Sequence, residues 1–162
     1  MEYDLSHKTC NEESYKKYIQ GSAEAVGLMC LNIFTYNTKG QYSKLKPYAE
    51  SLGSAFQKIN FLRDLNEDFH SLNRVYFPNL NIKKFDNKVK KTIENDIEKD
   101  FKHALIGIKQ LKKDARQGVY LAYQYYINLF VKIKKTDAKD ILNTRIRVSN
   151  LRKIIILITS QI

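Results

Sequence analysis

Residues 52–78 read LGSAFQKINFLRDLNEDFHSLNRVYFP. Leu52, Ala55, Phe56, Ile59, Leu62, Leu65 and Phe69 recur at helical spacing, and no run alternates apolar and polar residues at period two. The stretch therefore reads as one long helix. Asp64 and Asp68 are four residues apart on it, slightly more than one turn, so both carboxylates project from the same side. At 100° per residue, Gln57 and Asn60 join them within an arc of roughly 80°. Two carboxylates and two amides form an all-oxygen donor set. That is the chemistry a hard cation such as Mg²⁺ takes, usually while keeping waters and sharing a substrate phosphate. Arg63 beside the pair, with Arg74 and Tyr76 just beyond it, is suited to contact the phosphate itself.

Spacing alone leaves a second reading open. The apolar residues cluster opposite the acidic stripe, so the stripe also fits a plain water-facing surface. Asp96 and Asp100 repeat the same spacing in KTIENDIEKDFK. There the acids alternate with lysines and no amide ligands accompany them. We expect that second pair on an exposed outer face, in a solvated helix laced with weak ion pairs.

Two longer strings bear on the choice. Gly53, Gln57, Asn60, Arg63-Asp64, Asp68 and Arg74-Val75-Tyr76-Phe77-Pro78 together resemble the second aspartate-rich signature of the squalene and phytoene synthase family. Upstream, residues 18–29, YIQGSAEAVGLM, resemble the family's other signature, an aromatic followed by small residues and Val-Gly. Met1-Glu2-Tyr3-Asp4-Leu5 resembles the M-x-x-D stretch shortly before it, and the order and spacing agree. The match extends weakly to the C-terminus.

The resemblance implies an all-α, helical isoprenoid synthase fold built around a central cavity. It implies head-to-head condensation of two prenyl diphosphates, geranylgeranyl or farnesyl, with Mg²⁺ held between aspartates and diphosphate. Asp64 and Asp68 would be the metal ligands, supported by Asn60 and Gln57. Arg63, Arg74 and Tyr76 would hold diphosphate or orient the ligands, and Tyr18 would face the cavity. The helix containing Ser22 and Val26 would line the space that receives the isoprenoid chain. Arg145, in Asn143-Thr144-Arg145-Ile146-Arg147, resembles a late diphosphate-binding arginine, and Tyr125 or Tyr126 matches a cavity tyrosine, both on looser alignment.

The same resemblance shows a departure. Family members carry two aspartate-rich motifs on facing helices, yet no D-x-x-x-D occurs between Met1 and Arg63. Residues 1–162 thus read as a single partial domain, the C-terminal half of such an enzyme, truncated before the first motif. Two functions follow. One is a Mg²⁺-dependent, phytoene-type prenyltransferase of carotenoid biosynthesis. The alternative is a catalytically inactive fragment, or one subunit of a split synthase that needs a separate N-terminal half. No glycine-rich dinucleotide fingerprint is present, so no NADPH site is evident. That favours phytoene-type chemistry, which ends by proton loss, over the reductive squalene type.

Composition narrows the partners. Twenty-eight Lys and Arg oppose 17 Asp and Glu, for a net charge of +11. Such a surface attracts nucleic acid, anionic lipid or anionic small substrates. The lysines are scattered and no nucleic-acid-binding motif appears, so we expect no nucleic acid partner. Cys10 and Cys30 suggest neither a disulfide framework nor a zinc site. His7, His70 and His103 stand alone in sequence and read as surface or interhelical residues. The start is acidic and lacks an apolar leader, and the apolar run 154–158 is too short to span a bilayer of about 30 Å. We expect a cytoplasmic chain with at most peripheral membrane association.

The remaining elements follow from local signals. Asn11 is placed to cap a helix over residues 11–34, with Glu12 and Glu13 in its first turn. Gly21 and Gly27 inside that helix suggest a close neighbour, a packed helix before a ligand. Pro47 suits the first turn of the next helix, ending near Asn73. Helices then follow over residues 87–111 and 114–134, with a short one after Thr136 or Asp137 and a last one from Asn150.

Overall fold

The computed structural model describes residues 10–160. The Met1–Leu5 match and His7 lie outside the described residues. Everything described is helix and connection, with no strand among the described residues. The chain is all-α, as expected.

The chain enters through α1 (Glu12–Ile19). Asn11 closes a capping box, accepting from Ser14 N at 2.8 Å while the Ser14 hydroxyl accepts from Asn11 N at 2.9 Å. A π-helical turn (Gln20–Glu24) carries α1 into α2 (Ala25–Thr35), with the Ala25 amide donating to the Gln20 carbonyl. After Gly40, whose φ of +77° suits glycine, the 32-residue α3 (Gln41–Leu72) begins. It ends at Asn73 in the left-handed region, where the Arg74 amide closes on the Asp68 carbonyl at 3.0 Å.

The start of α3 corrects the reading of Pro47. The helix begins six residues earlier, and Pro47 lies inside it. Proline removes one amide donor and is costly there. Two tertiary anchors offset that cost: Leu45 is buried, and Gln41 Nε2 donates to the Gln110 carbonyl at 3.0 Å.

A short 3₁₀ turn (Ile82–Lys84) leads to α4 (Asn87–Ile108), capped by Asp86, which accepts from Val89 N at 2.8 Å. Then come α5 (Lys113–Lys135), the single turn α6 (Ala138–Ile141) after Asp137, and α7 (Asn150–Thr159) after Ser149. Asn87 ties α4 to the start of α6, its Oδ1 accepting from Ala138 N at 2.8 Å.

The central helix is α3. Ala55, Ile59 and Leu62 are wholly buried, joined by Ile97 and Phe101 of α4 and Leu129, Phe130 and Ile133 of α5. The π turn and α2 cross α3 at backbone distance. A Cβ on Gly53 would meet Ala23 O at 2.6 Å, and one on Gly27 would meet Ala49 O at 2.9 Å. So Gly27 does admit a neighbouring helix. Gly21 does not: a Cβ there meets nothing within 4 Å.

The acids of α4 are also corrected. Asp100 is not on an outer face: it accepts from Ser54 Oγ and from Lys58 Nζ of α3, both at 2.8 Å. Lys58 donates to Asp96 as well, whose side chain stays 57% exposed. Glu94 and Lys90, one turn earlier, form an ion pair with both residues buried. Charge alternation along α4 reflects ion pairs between and beneath helices as much as a wet surface. The Tyr15 hydroxyl lies near these acids, and burial together with Asp96 and Asp100 pushes it far above the ordinary range for tyrosine.

Candidate functional site

Along one face of α3, Gly53, Gln57, Asn60, Asp64 and Asp68 follow each other at steps of three or four. The two ends of this line differ in character. At the Gly53 end lies an apolar cavity of about 520 Å³. Its walls are Val26 and Gly27 of α2, Leu52 and Phe56 of α3, Gly107 and Ile108 of α4, and Gly118 and Ala122 of α5. At the Asp64 end lie the carboxylates and arginines. Eleven residues separate Gly53 from Asp64, about 16 Å of helix. Gly53 belongs to both, lining the cavity and standing first in the line, so cavity and charged end are joined along one rigid helix.

Asp64 is held by two guanidinium groups. Arg63 donates to both of its oxygens, through Nε to Oδ1 at 2.9 Å and through Nη2 to Oδ2. Arg145, from the segment before α7, reaches Asp64 Oδ1 through Nε at 2.9 Å and Glu67 Oε2 through Nη1 at 3.2 Å. Asp68 is half-buried beside them. Burial, then the neighbouring Asp64 and Glu67 charges, push its carboxyl up to about 6, against the pull of Arg145 and Arg74.

Asn60 accepts a long hydrogen bond of 3.4 Å from the Tyr126 hydroxyl. The Tyr126 ring stacks on Phe56 at 3.8 Å between centroids, with Tyr125 edge-on against it at 5.6 Å. Phe56 lines the cavity, so the Tyr126 side chain links the cavity wall to the stripe. Ser22 and Val26 line the cavity directly. Tyr18 does not: its ring packs on Phe61 at 5.5 Å and on Tyr76 at 5.1 Å. Tyr76 in turn stacks on Phe61 at 4.4 Å. Phe61 follows Asn60 on α3, so Tyr18 and Tyr76 flank the stripe instead of the cavity.

The structure thus gathers Asp64, Asp68, Arg63, Arg74 and Arg145 at one end. Asn60 and Gln57 lie between, and Ser22 and Val26 sit at the other end. Glu67 and the α4 and α5 walls of the cavity escaped the sequence reading. Only the small residues Ala115, Gly118 and Ala122, three and four apart, offered a signal.

The donor set suits Mg²⁺ that is also bound to phosphate and water. Two carboxylates and two amides are all oxygen donors, and the Asp68 carboxyl is raised by burial first and by the Asp64 and Glu67 charges second. They are not a closed protein cage. Among the described residues no group of three or more His, Cys, Asp or Glu gathers where it would hold a metal.

Comparison with known proteins bears on the family. The sequence model described as squalene/phytoene synthase matches residues 1–152. A 4,4'-diapophytoene synthase from Staphylococcus haemolyticus is 24% identical over 136 residues, covering 74% of this chain and 46% of that protein. The chain therefore spans about half the length of the curated relative it matches. With the match covering nearly all its residues, and a helical fold joining an apolar cavity to an aspartate stripe, the chain belongs to the squalene/phytoene synthase family.

Proposed function

We propose that this chain forms one wall of a Mg²⁺-dependent, phytoene-type prenyltransferase site, which joins two prenyl diphosphates head to head for carotenoid biosynthesis. The observation that carries the reading is the single helix α3, with a 520 Å³ apolar cavity beside its Gly53 end and Asp64 and Asp68 at the other. A prenyl diphosphate has the same two parts, an apolar tail and a charged head. The diapophytoene synthase named above supports the phytoene type over the squalene type.

In this reading Asp64 and Asp68 hold the metal, with Asn60 and Gln57 in support. Bound there, Mg²⁺ would offset the charge of the departing diphosphate. Arg63, Arg74, Arg145 and Tyr76 would bind phosphate oxygens. Arg63 and Arg145 already pair with Asp64, so their guanidinium groups stand within reach of a head group beside it. The cavity walls keep water from the allylic cation. Tyr125 and Tyr126 close the side between cavity and stripe.

The stripe offers only two carboxylates, so a full metal cage requires a facing D-x-x-x-D from residues outside this sequence. The exposed apolar line Val26, Met29 and Ile33 on α2, 48%, 60% and 73% exposed, fits a partner segment there. The second reading, an inactive fragment or one subunit of a split synthase, rests on the same count of ligands.

The test is product formation from labelled geranylgeranyl or farnesyl diphosphate with Mg²⁺. The chain is assayed alone and with an N-terminal half carrying D-x-x-x-D, fused or in trans. We expect product only with that half, and a loss of at least about 100-fold in Asp64→Asn and in Asp68→Asn. Turnover by the chain alone refutes the need for a facing set. No product in either case favours the inactive reading.

A further inference from the structure

Along α5 the inward face changes character. Toward its C-terminal end the face is filled by Tyr123, Phe130 and Ile133, all buried. Toward its N-terminal end the residues lining the cavity are Asp114 and then the small or apolar Ala115, Gly118, Val119 and Ala122. Gly118 is the extreme case. A Cβ there meets nothing within 4 Å, and φ lies outside the left-handed region, so neither crowding nor backbone geometry calls for glycine. Gly107, on the facing wall, differs: a Cβ there would collide with Tyr48. Glycine inside a helix costs about 1 kcal/mol relative to alanine. Gly118 is itself exposed and lines the open side of the cavity, so at position 118 that cost secures no contact within the protein.

We propose that Gly118 is a specificity-determining position, which sets how long an apolar tail the cavity accepts. The inference rests on the reading of the cavity as the prenyl-tail site. A leucine at 118 would project into the open space. Its side chain has four carbons, one fewer than an isoprene unit. It would fill about 100 Å³, the share of three to four waters, roughly a fifth of the 520 Å³ cavity. The tail that still fits would be shorter by about one isoprene unit.

The experiment is calorimetric binding of unreactive thiolodiphosphate analogues carrying farnesyl or geranylgeranyl tails, with Mg²⁺ present. Inorganic diphosphate serves as the head-group control. The full chain is compared with Gly118→Ala and Gly118→Leu, each checked for cooperative melting. The expected result for Gly118→Leu is at least tenfold weaker binding of the geranylgeranyl analogue, with the farnesyl analogue and inorganic diphosphate within twofold of the parent. Gly118→Ala should keep both tails and melt at a higher temperature. Equal binding of both tails by parent and Gly118→Leu overturns the role of Gly118 and leaves the cavity reading standing. If neither tail binds the parent more tightly than inorganic diphosphate does, the cavity reading itself fails, and the inference falls with it. Should Gly118→Leu melt without cooperativity, Gly118→Val takes its place under the same criterion.

Discussion

Replacing Lys58 by methionine tests the seam that holds α4 against α3. The ammonium donates to Asp96 and Asp100, and Asp100 also accepts from Ser54. Glu24 lies close enough that burial, Glu50 and Asp100 raise its carboxyl while Lys58 lowers it. One buried lysine therefore serves several acids. A hydrogen bond to a charged group contributes about 1.5–3 kcal/mol. The Asp96 bond is worth less, at most about 1 kcal/mol, because that side chain is 57% exposed. Asp100 is only 21% exposed, so its loss counts more, although Ser54 remains as a donor. Breaking a fully buried pair costs about 3–5 kcal/mol. With water reaching Asp96, we expect about 2–3 kcal/mol for Lys58→Met, read by urea unfolding at pH 7. Adding Asp100→Asn should recover about 1 kcal/mol, since an amide tolerates the loss of the cation. Burial works to lower the Lys58 pKa, but the bonds to Asp100 and Asp96 outweigh it and the net shift is upward. The lysine's contribution is thus complete below its ordinary value of 10.5 and is lost as pH rises through its higher folded value. Lys58→Met should remove that alkaline loss. A cost under about 0.5 kcal/mol, or no recovery with Asp100→Asn, would refute the account of the seam.

Two further outcomes are expected. Gly53→Ala sets a methyl 2.6 Å from the Ala23 carbonyl oxygen, a backbone atom that moves only with its helix. Overpacking of this kind costs about 1–3 kcal/mol, so the midpoint of thermal unfolding should fall by about 5 °C; an unchanged midpoint would show that the π turn shifts freely. In metal-free buffer the raised Asp68 carboxyl keeps its proton in the folded state at pH values where the unfolded chain has lost it. The stability it lends is full below 3.8 and is lost as pH climbs through about 6. Discounted for the half-buried setting, the loss is about 1 kcal/mol. Asp68→Asn should flatten it, and Mg²⁺ with inorganic diphosphate should move the Asp68 carboxyl titration, followed by carbon NMR, to lower pH.

The helix ends were legible because caps are local. Asn11 and Asp137 each stand one residue before a helix, as read from the sequence, though of the two only Asn11 accepts a capping bond; Asp86, which also caps, escaped that reading. The aspartate stripe was legible for a similar reason, since one helix carries it and its period is fixed. What escaped needed two helices at once. Pro47 looked like a helix start until Leu45 and Gln41 were seen anchored against the rest of the fold. Asp100 looked solvated because its partners, Ser54 and Lys58, lie more than forty residues away. The π turn has no residue signature of its own. The cavity is made by four helices, and only the stripe of small residues on α5 hinted at one wall.

The partner of the misjudged Asp100, Lys58, also bears on the stripe. Read as a two-sided helix, α3 has an apolar face, and everything else falls to water. Its real section has three sides. Ala55, Ile59 and Leu62 face the core, Ser54 and Lys58 face α4, and Gln57 through Asp68 occupy the third. A helix on the outside of a fold does not bury a lysine to 8% exposure. The third side is not bare either. Ala23 crosses it at Gly53, Tyr18 and Tyr76 stack beside it at Phe61, Tyr126 bonds to Asn60, and Arg145 reaches Asp64. Carboxylates placed at random on a wet surface do not draw aromatic and guanidinium groups from four other segments. In the function proposed above a charged ligand would be held there, and Gly53 ties that side of α3 to the apolar cavity.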